Sequence, residues 1–342
     1  MPQLYLFLGI SIFVLNLSDF LITVFSPKGA GFITEKINSF ISKIFALMKG
    51  KAGRNKLYDY KVVFLILSII VAWVVLSWLA FAFIYLSRTG SIINSATKIN
   101  ASTLDVFYFV GYTMSSLGPG EFEPSNQNWY LFTNFVSFFG FFIITICITY
   151  IVPLLNNIVE ANALSLSITS LGETTKTLLT NSFNGEDFSE LTQQFAALSM
   201  DIIKYSTRHM AYPVLHHVQN SNTEENIILK LVSLDETLNV LLFNVPKRYI
   251  KHPLGLKQVR RSINIYLDNL KNVKPALLAP PIPDFEELKN SIPIEFINTD
   301  PAQLKNIYDR LESRRKLHKA NIENEGWKWS DLNTEKFKSI DE

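Results

Sequence analysis

Apolar positions are concentrated in the first half of the chain, where they form three long stretches. Residues 62–86 and 129–155 contain no charged side chain, and these runs of 25 and 27 residues can each cross a membrane as a tilted helix. Residues 2–25 form the third stretch, although it includes Asn16 and Asp19. This stretch lacks the basic start and the small-residue cleavage site of a signal peptide, so we expect a retained membrane helix.

The basic residues predict the orientation of these spans. Residues 26–61 carry eight lysines and arginines against two acids, whereas residues 88–128 carry two basic residues and three acids. The positive-inside rule therefore puts the first segment in the cytoplasm and the second outside. The N-terminus is then outside, and everything after residue 155 is cytoplasmic. Apolar residues at helical spacing in 33–48 predict an amphipathic helix, which lies either on the membrane surface or against the protein's own cytoplasmic domain.

The loop between the second and third spans is unusually apolar. Residues 105–116, with the sequence DVFYFVGYTMSS, are too few to cross a bilayer and are typical of a re-entrant helix. Residues 117–121, with the sequence LGPGE, cannot continue that helix. Non-helical backbone at membrane depth occurs only where it is buried in protein or lines water. The free carbonyls at a helix C-terminus favour a cation there, so the pattern indicates a cation pore.

Residues 113–121 read TMSSLGPGE, which resembles the signature TMTTVGYGD of the potassium-channel pore family. Serine replaces threonine twice, leucine replaces valine and glutamate replaces aspartate. Pro124 falls where that family often has a proline, and Gly140 resembles its hinge glycine on the inner helix. The resemblance covers residues 62–155 and implies an outer helix, a re-entrant pore helix with a filter, and an inner helix. It also implies a homotetramer, because four pore loops are needed to close one ring.

The resemblance assigns roles to individual positions. The ion-binding filter residues would be Ser116, Leu117, Gly118, Pro119 and Gly120. The residues that support the pore helix and filter would be Tyr108, Phe109, Thr113, Ser115 and Glu121. Pro119 stands where the family has an aromatic residue, and it keeps its carbonyl oxygen but offers no ring and no backbone N–H. We therefore expect modest selectivity for potassium over sodium, with a permeability ratio of roughly tenfold or less.

The third span has a candidate pore-facing row. This row has one residue at every fourth position, namely Phe141, Thr145, Thr149 and Pro153. These positions match the stripe that lines the cavity in the potassium-channel pore family, which the sequence resembles. The two threonine hydroxyls either bind cavity water or bond to the carbonyls four residues earlier in their own helix. Gly140 and Pro153 are the places where this helix can bend, although a glycine also permits close helix packing.

The chain after residue 156 is predicted to be mainly helical. Residues 222–245 and 256–273 have helical apolar patterns, residues 274–293 are proline-rich and read as an extended linker, and a helix is predicted from Asp300 to about Asn321. The segment GETTKT at 172–177 lacks the glycine that precedes the lysine in a phosphate-binding loop, so we reject that interpretation. The histidines form one cluster, for which we expect a structural role. The cluster consists of His209, His216 and His217.

Composition narrows the choice of function. A formal net charge of +2 gives no reason to expect a nucleic-acid partner, and the single cysteine, Cys147, excludes a disulfide framework. No nucleophile–base or metal arrangement indicates an enzyme, and the expected ligands are permeant potassium or other monovalent cations, with no cofactor.

The sequence thus predicts an all-α, multi-pass protein of the cell membrane. Its domains are an N-terminal transmembrane helix at 1–25, a basic linker at 26–61, a pore domain at 62–155 and a helical cytoplasmic domain at 156–342. We expect a homotetrameric cation channel in contact with membrane lipid. The alternative is a non-conducting membrane sensor or scaffold with a degenerate pore, which acts through its cytoplasmic helices.

Overall fold

The computed structural model describes residues 2–26, 30–47, 60–118, 120–211, 222–270 and 273–335. The chain separates into two compact units. The membrane unit contains residues 2–26, 30–47 and 60–155, and the C-terminal unit contains residues 156–210, 222–270 and 273–335. The predicted all-α class is confirmed, because short strands are the exception to helix in the described residues.

The membrane unit consists of helices and one small hairpin. In chain order the elements are α1 (Pro2–Phe25), α2 (Phe32–Leu47), α3 (Lys61–Leu86), β1 (Ile92–Asn94), α4 (Thr103–Met114), β2 (Phe122–Pro124) and α5 (Gln127–Leu171). Within the described residues, α1, α3 and α5 are long and apolar enough to cross a membrane. The three predicted spans are therefore confirmed.

Helix α1 packs along α3 and also reaches α5. The ring of Phe13 lies 5.3 Å from that of Phe81 on α3 and 5.2 Å from that of Phe139 on α5, measured between centroids. Further along α1, Phe20 is buried with its ring centroid 5.0 Å from that of Trp73. Because lipid tails are as apolar as these side chains, close packing rather than water exclusion holds the helices together.

Asp19, which interrupts the apolar pattern of α1, joins α1, α2 and α3. Its carboxylate accepts hydrogen bonds from the backbone N–H groups of Ile33 (2.7 Å) and Thr34 (3.1 Å). It also accepts from the Thr34 hydroxyl (2.7 Å) and from the indole N–H of Trp73 (2.9 Å). Asp19 thus caps the N-terminus of α2 from a different helix, where a carboxylate satisfies free N–H groups and the helix dipole favours its charge.

These contacts give α2 its neighbours within the membrane unit. The structure packs it on α1 and α3, and its position on the membrane surface or against the cytoplasmic domain stays a prediction. Asn16 of α1 donates from its amide to the Trp73 carbonyl (2.9 Å) and to the Ser77 hydroxyl (2.8 Å). Asn16 and Asp19 are therefore both buried, and each is hydrogen-bonded to α3.

The C-terminal unit is a helical bundle around one buried helix. It contains the end of α5 and the helices α6 (Thr175–Ser182), α7 (Ser189–Ala211), α8 (Ile227–Phe243), α9 (Pro253–Asn269), α10 (Phe285–Ser291), α11 (Pro301–Arg310) and α12 (Glu312–Asn324), with 3₁₀ turns at Lys247–Tyr249 and Trp329–Asn333. Helix α8 is the centre, since every residue from 227 to 241 is buried. Asn226 starts it by accepting the Leu229 N–H at 3.0 Å.

Two adjacent acids of α8 are buried and ion-paired. Asp235 accepts from Arg260 (2.7 Å), Arg314 (2.6 Å) and His318 (3.0 Å). Burial alone would raise the pKa of Asp235, but Arg314 and His318 outweigh it and hold that pKa well below its usual range. Glu236 pairs with Arg315 at 2.9 Å, yet burial dominates there and raises its pKa.

Several sequence-based boundaries are wrong. The inner helix was predicted to end at residue 155, but α5 continues to Leu171. The proline-rich region 274–293 is not a simple extended linker, because it contains α10, which Asp284 caps by accepting the N–H groups of Glu286 and Glu287. Arg315 also binds this region, donating to the carbonyls of Pro280 and Pro281. The helix predicted to start at Asp300 is divided at Leu311 into α11 and α12.

The segment at 172–177, rejected as a phosphate loop, takes part in helix capping, and His209 of the histidine cluster takes part in core packing. Thr174 is the N-cap of α6 in a reciprocal capping box with Thr177. His209 is buried with its ring 5.4 Å from that of Tyr205. His216 and His217 lie outside the described residues.

Candidate pore site

The re-entrant helix α4 begins at a strong N-terminal signal. The Ser102 hydroxyl accepts the backbone N–H of Asp105 (3.3 Å), and the Asp105 carboxylate accepts the N–H of Ser102 (2.9 Å). This capping box satisfies two N–H groups that a helix otherwise leaves unpaired. It fixes the start of α4. The helix ends at Met114, two residues before the candidate filter begins at Ser116.

Helix α4 is fixed to the outer helix α3. The indole N–H of Trp78 donates to the Phe107 carbonyl at 2.8 Å. Phe109, predicted to support the filter, is 2% exposed and its ring lies 5.7 Å from that of Tyr85. Tyr108, predicted for the same role, is instead 44% exposed and contacts Tyr112, with 4.7 Å between ring centroids. The structure therefore buries one member of the predicted aromatic pair and leaves the other on the surface of the single chain.

The backbone leaves the helical conformation over residues 115–118. The N–H groups of Ser115, Ser116 and Leu117 still donate to helix carbonyls, at 3.1, 3.1 and 3.2 Å. Ser116 then adopts φ +60° and Gly118 φ +68°. A positive φ is strained for serine and is unstrained for glycine, and such strain is concentrated at functional sites. Because φ is positive at Ser116 and Gly118, the backbone carbonyls of this segment point in other directions than they would in a helix. Pro119 lies outside the described residues.

The supporting polar residues of α4 have different surroundings. Thr113 is buried, and its hydroxyl has no hydrogen-bond partner within the described part of the chain. Ser115 is exposed and its hydroxyl donates to the Tyr112 carbonyl at 2.9 Å. Glu121 is also exposed, and its backbone carbonyl accepts the N–H of Ser95 at 2.9 Å. The predicted support residues thus lie on both sides of the candidate filter.

Sequence reasoning missed a residue that contacts the outer end of this segment. The hydroxyl of Ser95 donates to the carbonyl of Gly120 at 2.8 Å. Ser95 follows strand β1, which pairs antiparallel with β2 directly after the candidate filter. Strand β1 has only three residues and no apolar alternation that would predict a strand, although Asn94 followed by Ser95 is a turn signal.

The inner helix α5 approaches α4 closely at Gly140. A Cβ atom at this position would lie 2.0 Å from the Met114 carbonyl oxygen, so only glycine fits here without a backbone shift. Helix α5 passes through Gly140 and Pro153 without an interruption. Close packing is therefore a sufficient reason for glycine at position 140, and its role as a hinge stays a prediction.

The candidate cavity row lies on the surface of the single chain. Phe141, Thr145 and Thr149 are exposed. The Thr145 hydroxyl donates to the Phe141 carbonyl (2.8 Å), and the Thr149 hydroxyl donates to the Thr145 carbonyl (2.9 Å). Of the two alternatives for these hydroxyls, the structure has the bond to the helix's own carbonyl. Each oxygen still has lone pairs with which it can accept a hydrogen bond from water.

Residues 68–157 match a protein family described as "Ion channel". The match runs from within α3, through α4 and the candidate filter, into α5. Over 294 residues, or 85% of this chain and 86% of the other, the sequence is 30% identical to the "Uncharacterized membrane protein YdjJ" of Bacillus subtilis (strain 168). No solved structure matches the chain.

Proposed function

Because the chain belongs to the pore-loop ion-channel family, we propose that four copies form a channel that conducts potassium or other monovalent cations passively across the cell membrane. Each chain supplies one re-entrant helix and one filter segment, which make a quarter of a carbonyl ring. The observation that carries the proposal is the positive-φ backbone at Ser116, where it is strained, and at Gly118, in a segment held between two spanning helices.

The surface of the single chain supports an assembly. Leu117 in the candidate filter is exposed, and so are several large apolar residues of α5, among them Phe138 and Ile148. In a tetramer the exposed faces of α5 would meet lipid, the neighbouring subunits or the central cavity. The exposed row of Phe141, Thr145 and Thr149 would then line the water-filled cavity beneath the filter, where the threonine oxygens accept hydrogen bonds from the water around a cation.

The ion preference rests on the filter sequence. Similarity to the potassium-channel signature favours potassium, whereas Pro119 favours weak discrimination, because proline lacks the aromatic ring that braces the family's filter. A permeability ratio of roughly tenfold corresponds to about 1.4 kcal/mol of discrimination between the two ions.

A recording of the purified full-length protein in planar bilayers, under bi-ionic potassium and sodium, tests conduction and selectivity together. We expect a cation current with a potassium-to-sodium permeability ratio of roughly tenfold or less. The Pro119→Tyr variant should raise the ratio where Tyr108 and Phe109 leave room for the new ring. A second variant, Gly118→Ala, tests whether the current passes through this segment. It puts a Cβ atom on a residue with φ +68° and should abolish the current while the oligomer persists. Near-ideal selectivity in the wild type would contradict the role given to Pro119.

Native mass spectrometry in mild detergent tests the assembly. We expect a tetramer, and a monomer or a dimer would contradict it. The non-conducting alternative is supported by Pro119 and by a C-terminal unit with its own buried core. A stable tetramer without any current would favour this alternative.

Orientation is tested by cysteine labelling on a Cys147→Ser background. Positions Lys36 and Glu224 should be labelled only from the cytoplasmic side, and Ser102 and Ser125 only from outside. This expectation rests on the basic residues of 26–61 and the positive-inside rule. Labelling of Lys36 or Glu224 positions from outside alone would overturn the topology and the channel with it.

A further inference from the structure

The outer loop of the membrane unit is a small, well-anchored β structure. Strand β1 pairs with β2 on one side, and Ile93 forms a bridge with Asn100 on the other. Ile92 in the middle is 1% exposed. The Ser91 hydroxyl donates to the Tyr85 carbonyl at 2.8 Å, and the Ser91 carbonyl accepts the N–H of Ser125 at 3.0 Å. The loop is thus tied to the end of α3, which gives it a rigid base.

The turn after β1 fixes the position of Ser95. The Asn94 side chain accepts the backbone N–H groups of Ala96 (3.0 Å) and Thr97 (2.9 Å), in an Asx turn. Lys98 closes the turn, donating its N–H to the Asn94 carbonyl and pairing its ammonium with Glu123 of β2 at 2.6 Å. Ser95 is therefore the residue at which a braced turn meets the end of the candidate filter.

Ser95 holds that end at two points. Its hydroxyl donates to the Gly120 carbonyl (2.8 Å) and its N–H donates to the Glu121 carbonyl (2.9 Å). Apart from its chain neighbours, no described residue lies within 4 Å of the place where a Cβ of Gly120 would be, so the described part of the chain offers little packing there. The hydroxyl is the part of this contact that depends on the side chain, and it fixes the direction in which the Gly120 carbonyl points.

We propose that Ser95 is a filter-positioning residue, whose hydroxyl orients the Gly120 carbonyl and thereby sets the selectivity of the outer ion site. This inference rests on the proposed channel function. Selectivity depends on the number, field and spacing of the coordinating carbonyls. Pro119 offers no aromatic side chain to hold the four carbonyls at a fixed width, and the outer loop restrains the Gly120 carbonyl through Ser95.

The test compares reversal potentials of full-length channels in planar bilayers under bi-ionic potassium and sodium. Ser95→Ala removes the hydroxyl and should lower the permeability ratio by at least about threefold, within the range that one neutral hydrogen bond supplies. Ser95→Thr keeps a hydroxyl and should restore the wild-type ratio. The matched control is Thr97→Ala, which removes another hydroxyl of the same turn. Among the described residues this hydroxyl accepts the Ile99 N–H at 3.4 Å, away from the candidate filter, and its loss should leave the ratio unchanged.

Hydrogen exchange of residues 116–125, measured on the same proteins after native mass spectrometry has verified their assembly, provides a readout that does not need current. Ser95→Ala should exchange faster than wild type there, and Ser95→Thr and Thr97→Ala should not. A conducting wild type with an unchanged ratio in Ser95→Ala overturns the role of Ser95 and leaves the channel proposal standing. A wild type without current overturns the channel proposal, and the selectivity role falls with it. In that case the hydrogen-exchange rates alone decide whether Ser95 orders residues 116–125.

Discussion

Asp19 in the membrane unit and Asp235 in the C-terminal unit are both buried carboxylates, 3% and 0% exposed, but their partners differ in kind. Within the described residues, the donors to Asp19 are neutral, namely two N–H groups at the start of α2, the Thr34 hydroxyl and the Trp73 indole. Asp235 is surrounded by the guanidinium groups of Arg260 and Arg314 and by His318.

The difference shows two ways to bury one negative charge. A second full charge in the membrane would carry its own large desolvation cost, whereas backbone N–H groups and a helix dipole are already present. In the C-terminal unit, long basic side chains can reach the acid while part of their length stays near water: the Arg260 and Arg314 side chains are 17% and 15% exposed.

The largest effect is expected for Asp235→Asn. The substitution leaves two guanidinium groups and His318 around a neutral amide, and breaking a buried ion pair costs about 3–5 kcal/mol. Thermal unfolding of the full-length protein in detergent measures the cost. The control is Asp201→Asn, which breaks an exposed pair with Lys204 and should cost less than about 0.5 kcal/mol. Equal effects of the two substitutions would contradict the ionic account of Asp235.

Asp19 is expected to respond differently to the same substitution. Asp19→Ala removes every acceptor and should cost about 3 kcal/mol, since buried donors lose a charged partner. Asp19→Asn should cost roughly half as much, because an amide oxygen can still accept the N–H groups of α2. At Asp235, by contrast, Asn and Ala should be equally damaging. Thermal unfolding of the four variants checks this. If the ratio of the stability lost in the Asn variant to that lost in the Ala variant were the same at both sites, the distinction between them would be wrong.

Acid should weaken the contribution of Asp235. Its folded-state pKa is below the unfolded value of about 3.9, so the folded state binds the proton less readily than the unfolded state. The stabilisation is therefore complete above about pH 5 and declines as the pH falls below about 4. Arg260, Arg314, His318 and neighbouring Glu236 face this group, so the comparison of Asp235 with Asp235→Asn is made on a His318→Gln background. A difference in melting temperature that stayed constant down to pH 3 would contradict the prediction.

The smallest effects are expected for threonine hydroxyls in the membrane unit. Thr149→Val removes a hydroxyl that bonds to its own helix and should change stability by less than about 0.5 kcal/mol. Thr34→Val removes a donor to the Asp19 carboxylate and should cost about 1.5 kcal/mol or more. Thermal unfolding of the two variants compares an intrahelical hydroxyl with one that joins two helices. The reverse order would mean that the cap of α2 does not depend on Thr34.

The sequence predicted features that depend on local patterns. Long uncharged runs found the three spans because the hydrocarbon core sets a minimum length, and the short apolar segment before two glycines found α4. Hydropathy did not find the end of α5, because backbone hydrogen bonding continues past the point where apolar composition stops. The hydroxyl of Ser95 and the partners of Asp19 were missed for another reason. Both depend on contacts between residues far apart in sequence, which no local pattern contains.

The cap on α2 also has a consequence for biogenesis. During synthesis α1 emerges first, and an acid inside a membrane segment costs roughly 2.5–3.5 kcal/mol on insertion when it lies near the centre. The donors that bind Asp19 come from residues 33, 34 and 73, and the acceptors that bind the Asn16 amide come from Trp73 and Ser77 on α3. Helix α1 therefore becomes a stable membrane segment only when α2 and α3 have been made. Insertion of the two spanning helices α1 and α3 is a cooperative event, and α1 synthesised alone should be retained in the bilayer poorly.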